Sequence, residues 1–348
     1  MNKLTKVGLS ALCGSLATVS AANAGEMQVL GGATITHSSN SGETTGNPIG
    51  MNSGLTFKGS GELDNGTTFT LTITNADQAA YSAGSVDIVF PSLGSLNIAS
   101  ASGGNGIDSK DDAMPTAWEE TWGTSLGTGI DLVSGVGGSM NIQYKTPSIL
   151  GTTISVAHAP VNSGGAINDK SVGGAVKATS SLRAGTDILV DINAPYVNLF
   201  GGYSITERWG GAAAAGTNDD LAKDKEEAVG GAIITIGPLK VGAQASVEFL
   251  GNEQTASDVF GYRNVNYGVS FNVNDNLSVS YGQMESKTGF VSGDSGEPRI
   301  MEITSLQLAY TMGGASIKIA ETDVDNAKYQ TGTANSKEAT TIALSLAF

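Results

Sequence analysis

The chain has 348 residues, of which 33 are Asp or Glu and 18 are Lys or Arg, so its formal net charge is −15 at pH 7. A chain this acidic repels nucleic acid, whose recognition needs a basic patch, and a nucleic-acid partner is therefore excluded. The only cysteine is Cys13. One cysteine also excludes a small scaffold held together by disulfides.

Residues 1–24 have the three parts of a secretory signal peptide. Lys3 and Lys6 form a positive start, residues 7–19 are an apolar run, and residues 22–24 are small. We therefore predict that this segment is cleaved and that the mature chain is exported, without cysteine and with a net charge of −17. The apolar run is too short to cross a bilayer, which takes roughly 20 residues.

Residues 25–348 form one predicted domain, built from short segments in which apolar and polar residues alternate. The clearest is Thr67–Asn75, where large apolar residues alternate with threonines. It follows Asp64-Asn65-Gly66, a strong hairpin turn because Asn and Gly tolerate positive φ. The pattern predicts sixteen strands, with tight turns at one end and long polar loops at the other. They are Met27–His37, Ser53–Leu63, Thr67–Asn75, Ser85–Phe90, Ser95–Ala101, Met140–Thr146, Gly151–Ala159, Ala184–Asn193, Tyr196–Ile205, Val229–Ile236, Leu239–Leu250, Gly261–Val273, Leu277–Glu285, Arg299–Tyr310, Ala315–Thr322 and Glu338–Phe348.

An even number of strands returns both ends of the chain to the same side of a sheet. Ser171–Lys177 would be a seventeenth strand, and we assign it to a loop insertion.

The stretch Ser102–Ser139, which we call the acidic segment, interrupts this pattern. It has no sustained alternation of apolar and polar residues and contains two tryptophans. Its net charge is −5, because six acids are opposed by a single cation, Lys110. A stretch of this length without regular structure is uncommon inside a compact domain, which indicates a functional loop. Its acids are Asp108, Asp111, Asp112, Glu119, Glu120 and Asp131.

The alternation distinguishes a membrane barrel from a soluble sandwich. A sandwich packs large apolar side chains between its sheets. Here each strand has one apolar face, and the opposite face is Thr, Ser, Asn, Gln, Lys or Asp almost throughout. The segments span about 9 to 11 residues, the length of a tilted membrane strand, and closure satisfies every backbone group as lipid requires. We therefore predict an all-β, sixteen-stranded transmembrane antiparallel barrel.

Three stretches carry a resemblance to a known family. The last strand ends on Phe348, the first hairpin contains Gly54–Gly66, and Asn141–Pro147 follows the acidic segment. Together they resemble the Gram-negative general porins over essentially the whole mature chain, although a terminal Phe by itself is typical of outer-membrane barrels in general. The resemblance implies a homotrimer in outer-membrane lipid, inserted by the barrel-assembly machinery through the terminal strand with Phe348 as its signal. It also implies that the third loop folds into the lumen and narrows it.

If the acidic segment folds inward, its acids border an aqueous gap and set ion selectivity. Porins of this family typically carry an arginine cluster on the opposite wall, and this sequence departs from that pattern. By alternation, the cations on the lumen side are Lys58, Lys145 and Lys318. We predict a cation-selective pore for passive diffusion of small hydrophilic solutes and ions, with Trp118 and Trp122 as packing anchors. The alternative is that the acids are solvated and point away from the gap.

Two other functions stay open, a substrate-selective outer-membrane channel and an extracellular adhesin or surface protein. No cofactor is expected. The carboxylates of the acidic segment suit Ca²⁺, but no ligand spacing indicates a calcium site.

A protease-like motif is set aside. Gly293–Gly296 resembles the nucleophile motif of chymotrypsin-like proteases, with Ser295 preceded in the chain by His158 and Asp191. Glu297 replaces the glycine that is expected after this motif, and the motif lies in a predicted loop between two strands. We therefore predict that the protein is not an enzyme. His37 and His158 have no ligand partners at metal spacing.

Overall fold

The computed structural model describes residues 25–41, 46–77, 82–100, 104–123, 126–162, 182–208, 223–251, 259–290, 299–332 and 335–347. The predicted signal peptide, Ser171–Lys177, Ser295 and Phe348 lie outside these residues. Sixteen strands are present, as the alternation predicted. They are β1 (Met27–Ser41), β2 (Ile49–Glu62), β3 (Thr68–Ala76), β4 (Ala83–Phe90), β5 (Gly94–Ser100), β6 (Asn141–Lys145), β7 (Thr152–Ala159), β8 (Leu182–Asn193), β9 (Val197–Arg208), β10 (Lys225–Ile236), β11 (Leu239–Phe249), β12 (Val259–Asn272), β13 (Leu277–Phe290), β14 (Ile300–Met312), β15 (Ala315–Asp325) and β16 (Lys337–Ala347).

The strands form one closed antiparallel barrel. Each strand pairs with its neighbours in the sequence, and β1 pairs with β16 from Gly32↔Ala347 to Ser41↔Glu338. Side chains also join across this closing pair, where the hydroxyls of Thr34 and Ser345 lie 2.9 Å apart. Closure leaves no edge strand, which confirms the predicted fold class.

The connections follow the predicted arrangement of tight turns and long loops. Two-residue turns join β10 to β11 at residues 237–238 and β14 to β15 at residues 313–314. β7 pairs directly with β8, so the barrel closes without a strand between them. In the described part of the chain, two short 3-10 helices, Gly106–Lys110 and Ala327–Tyr329, lie in the longer connections. Among the residues described, no helix has the length and apolar character needed to cross a membrane.

Several strands extend beyond their predicted bounds at the ends nearest the long loops. β2 begins at Ile49, β10 begins at Lys225 and β13 continues to Phe290. Apolar alternation stops earlier in β10 and β13 because these extensions contain Glu, Lys, Thr and Gly, whereas in β2 Ile49 and Met51 continue the alternation beyond the predicted bound. Backbone pairing continues there because ladder hydrogen bonds do not require apolar side chains.

The two faces of the sheet differ in exposure. In β11, Val241 and Val247 are exposed, whereas Gln244, Ser246 and Glu248 are buried. The buried face is less polar than the sequence pattern predicted, because its last four strands carry apolar side chains under part of the acidic segment. These are Met284, Met301, Ile303, Val324 and Ala339.

Candidate functional site

The described parts of the acidic segment, residues 104–123 and 126–139, lie against the buried face of the barrel wall. Hydrogen bonds connect them to side chains on many strands between β5 and β14. The segment therefore follows a defined course, although it contains almost no regular structure.

Asp187 on β8 joins the beginning and the end of the segment. Its Oδ2 accepts the N–H of Ile107 at 3.0 Å and that of Val136 at 3.1 Å. Gly106 and Gly135 precede these two donors and have positive φ values of 63° and 49°. A Cβ on either glycine would collide with the Asp187 carboxylate, so both positions require glycine.

Two wall glutamines hold the middle of the segment. Each accepts a backbone N–H at its Oε1 and donates its amide NH₂ to a backbone carbonyl. Gln244 on β11 makes these bonds with residues 110–113, and Gln307 on β14 makes them with residues 118–119, at distances between 2.8 and 3.1 Å. Because each glutamine uses both its donor and its acceptor, it fixes the position of the segment along the wall as well as its distance from the wall.

A row of glycines lets the segment approach the wall between these two anchors. Gly242, Gly268 and Gly282 are paired across β11, β12 and β13. All three lie beneath residues 114–121, and a Cβ on Gly268 would lie 2.8 Å from Met114 Cβ. Carbon atoms prefer separations of about 3.5–4.0 Å, so only glycine permits this approach.

Apolar side chains also fix the segment to the wall. Ile107, Met114 and Val133 form a buried cluster with Phe200 and Val229. Leu126 lies in a second cluster, with Met284, Met301, Ile303, Val324, Ala327, Tyr329 and Ala339, and Trp122 packs against it. Trp122 is therefore a packing anchor, as expected.

The predicted acids divide into a group and an outlier. Asp108, Asp111, Asp112, Glu119 and Glu120 are half-buried and near one another, whereas Asp131 is exposed elsewhere on the segment. Burial, reinforced by the charges of Asp111 and Glu120, raises the pKa of Asp112 to about 6. Burial is also the main cause that raises the pKa values of Asp108, Asp111 and Glu119.

Only one of the predicted wall cations lies at the acidic group. Lys318 Nζ lies 5.7 Å from the centre of the Trp118 ring and partly offsets the raised pKa of Glu119. Lys58 is half-buried on β2 and Lys145 is exposed on β6. No ion pair among the residues described joins either lysine to the segment.

Three ionic contacts were not predicted from the sequence. Lys110, the one cation of the segment, pairs with Asp191 on β8 at 2.8 Å. On β10, Glu227 accepts the N–H groups of residues 134 and 135 at 2.8 and 3.1 Å, and Lys225 bridges it to Glu248 at 3.2 and 2.7 Å. Alternation places these side chains on the buried face, but nothing local distinguishes them from other polar residues there.

Of the protease-like triad, His158 and Asp191 lie among the residues described, on opposite faces of the sheet because His158 is exposed and Asp191 is buried, whereas Ser295 lies outside them. Asp191 is engaged by Lys110, and His158 Nδ1 lies 2.9 Å from Thr186 Oγ1. Within the same described ranges, no group of three or more His, Cys, Asp or Glu side chains is arranged to hold a metal ion.

Comparisons with known proteins agree with this architecture. A family model described as Gram-negative porin matches residues 8–348. No curated protein matches the chain.

Several solved structures share the fold. Salmonella typhi OmpF in complex with daunomycin is 12% identical, with a TM-score of 0.67 over 93% of this chain and 98% of that chain. The trimer form of Vibrio cholerae OmpT is 10% identical, with a TM-score of 0.67 over 93% of this chain and 100% of that chain. An anion-selective porin from Comamonas acidovorans is 15% identical, with a TM-score of 0.60 over 93% of this chain and 100% of that chain.

At these identities, the solved structures show a common fold and nothing finer. The family match covers nearly the whole chain, and the barrel has the sixteen strands and closure of outer-membrane porins. The protein therefore belongs to the Gram-negative porin family and is an integral channel protein of the outer membrane.

Proposed function

We propose that the barrel is a water-filled, cation-selective pore for passive diffusion of small hydrophilic solutes and ions, with the acidic segment folded into its lumen as the constriction. One observation carries the proposal, the one-sided attachment of the segment. Its anchors Asp187, Glu227, Gln244 and Gln307 lie on β8, β10, β11 and β14, and none of the four lies on β1–β4. The proposed passage therefore runs between the segment and β1–β4.

The side of the passage formed by β1–β4 is rich in hydroxyl groups. Thr34, Thr56, Thr72 and Ser85 are half-buried on the face opposite the exposed apolar side chains, and Lys58 is the cation among them. Hydroxyls carry no charge, so they do not balance the carboxylates across the gap. The field in the passage is then dominated by the acidic segment, which favours cations.

The ion pairs reinforce this asymmetry. Lys110 is held by Asp191, so the segment's own cation is turned towards the wall. Lys318 is the wall cation beside Glu119. One lysine does not neutralise five neighbouring acids, and a low-dielectric wall focuses the remaining field into the aqueous gap.

Reversal potentials in a KCl gradient across planar bilayers test the proposal. The unmodified protein is expected to prefer K⁺, and the variant D111N/D112N/E119Q/E120Q is expected to lose most of that preference. A matched control, D323N/D325N/E338Q, removes three exposed acids near the β15–β16 connection and should keep it. An anion preference in the unmodified protein would refute cation selectivity. Equal reversal potentials in all three proteins would show that the segment does not set it.

The oligomer and its assembly partners are part of the same proposal. A homotrimer is supported by the trimer form of Vibrio cholerae OmpT, and insertion by the barrel-assembly machinery through Phe348 follows from the resemblance. Conductance that increases in steps of three would support the trimer. Saturable block by one solute would instead indicate a substrate-selective channel.

A further inference from the structure

The connection between β15 and β16 reaches across to the acidic segment. We call residues 326–330 the clasp loop. Its Tyr329 is 7% exposed and lies in the same apolar cluster as Leu126, with its ring centre 5.2 Å from that of Tyr262. The Tyr329 hydroxyl accepts the N–H of Asp131 at 3.1 Å and lies 2.8 Å from Ser286 Oγ. Tyr329 thus joins the segment to the wall through both its ring and its hydroxyl.

Hydrogen bonds from Lys328 and Lys337 to backbone carbonyls of the segment extend this attachment. The N–H of Lys328 donates to the carbonyl of Thr128 at 2.7 Å, and Lys337 Nζ donates to the carbonyl of Gly127 at 3.4 Å. Gly129 has a φ of +64°, and a Cβ placed on it would lie 2.7 Å from Lys328 Cγ. Residues 127–131 are therefore held by the clasp loop together with Lys337 on β16 and Asn264 on β12, which donates to the Asp131 carbonyl at 3.0 Å, whereas residues 106–119 are held by the wall glutamines and Asp187.

The clasp loop has an unusual backbone. Asn326, Lys328 and Tyr329 all have left-handed φ values, of 57°, 57° and 55°. This conformation is sterically unfavourable at a residue with a Cβ, and lysine and tyrosine rarely adopt it. Such strain persists only where surrounding contacts over-determine the conformation, and it is concentrated at functional positions. The contacts that hold this conformation are those with the acidic segment together with wall contacts, in which Arg299 donates to the Tyr329 carbonyl at 3.2 Å and Asn326 donates to the Ile300 carbonyl at 2.8 Å.

We propose that Tyr329 is a positioning residue, which fixes residues 126–132 of the acidic segment and thereby controls how steadily the pore stays open. This inference rests on the proposed function, because it takes the segment to be the constriction. When the clasp loop separates from the segment, residues 126–132 lose the part of their attachment that this loop provides, and the passage fluctuates in width. The loop between the last two strands would then influence a constriction that is almost 200 residues away in the chain.

The first test compares Y329F and Y329A with the unmodified protein in single-channel recordings. Y329F keeps the ring but removes a hydroxyl that makes two hydrogen bonds. The loss of one such bond, about 1 kcal/mol, raises the released fraction about fivefold, and the loss of both raises it about thirtyfold. Open-channel current noise should therefore increase in Y329F and increase further in Y329A. Y196F is the matched control, because Tyr196 is 72% exposed in the β8–β9 turn, and its noise should not change.

The second test locks the clasp loop reversibly. Cβ atoms on residues 129 and 328 would lie 3.5 Å apart, within the range of about 3.5–4.5 Å that a disulfide requires. In the double variant G129C/K328C, the oxidised form should show less current noise than the same protein after reduction. The single variants G129C and K328C should not respond to the reductant. This comparison is made within one folded protein, so it does not depend on whether Y329A folds.

The outcomes separate this inference from the proposed function. Burial raises the pKa of Tyr329 to about 12, so its hydroxyl stays protonated in ordinary buffers and the difference in noise between the unmodified protein and Y329F should not depend on pH. If the oxidised and reduced double variant give equal noise while the acid-neutralised variant loses its ion preference, the positioning role of the clasp loop is refuted and the proposed cation selectivity is retained. If neutralising the acids has no effect but the lock changes the noise, the segment still affects conduction and only its charge role is refuted.

Discussion

Two regions of the barrel carry the same alternation but differ in what their buried-face side chains contact. We call β8–β15 the braced wall and β1–β4 the bare wall. On the braced wall, Asp187, Gln244 and Gln307 bind backbone groups of the acidic segment. On the bare wall, hydroxyls such as Thr34 pair with hydroxyls of a neighbouring strand. The difference shows that a polar face in a barrel has two uses, one as scaffold for a loop and the other as lining.

Removing Asp187 should give the largest effect, because this residue holds both ends of the segment. D187A leaves two buried N–H groups unpaired, and each hydrogen bond to a charged group contributes about 1.5–3 kcal/mol. We expect the barrel to unfold at a clearly lower temperature and the channel current to become noisy. Heat modifiability on gels and single-channel recording measure the two effects. An unchanged unfolding temperature would show that the braced wall does not depend on this carboxylate.

A paired glycine substitution compares the two walls directly. G268A places a Cβ 2.8 Å from Met114 Cβ, and such overpacking costs about 1–3 kcal/mol or displaces the segment from the wall. G54A, on the bare wall, adds a Cβ that lies 3.6 Å from the Asn75 carbonyl oxygen, which is an ordinary van der Waals contact. G268A should therefore reduce single-channel conductance, and G54A should leave it unchanged. Equal effects on conductance would mean that the row of glycines does not determine the width of the passage.

The smallest expected effect is a pH dependence of ion preference to which the segment contributes and the hydroxyls of the bare wall do not. Asp112 has a pKa of about 6, so it loses its charge as the pH falls through 6, whereas an ordinary Asp does so near about 4. Cation preference should therefore decline as the pH is lowered from about 7 to about 5. The hydroxyls of the bare wall do not titrate in this range, so they do not contribute to the decline. Reversal potentials at several pH values measure this decline, and D112N should weaken it. If cation preference declines by the same amount in D112N, the decline does not arise from the protonation of Asp112.

The number of strands could be predicted from the sequence because alternation is local. Thr67–Asn75 shows a period of two within nine residues, and β3 is found there with bounds that differ by one residue at each end. The acidic segment was also evident, because its composition interrupts that period. Its attachment was not predictable in the same way. Asp187 lies 80 residues from Ile107, and Gln307 lies 189 residues from Trp118, so no local pattern connects them.

The electrostatic prediction shows the same limit. Lys110 was counted against the acids of the segment, yet it is paired with Asp191 on the wall. Alternation assigns Lys318 to the lumen side, but its position over Trp118 depends on how the segment folds back. Alternation predicts which face a side chain occupies. The partner it meets there depends on long-range packing.

The pairing of β1 with β16 has a consequence for the order of assembly. Thr34 and Ser345 are 311 residues apart in the chain, so their contact cannot form until the last strand has been delivered. Contacts of such high sequence separation are intrinsically slow to form. Until then, the partly folded chain has two unpaired strand edges that can capture other chains. A variant that weakens this closing pair should therefore reduce the yield of assembled protein before it measurably changes the finished channel.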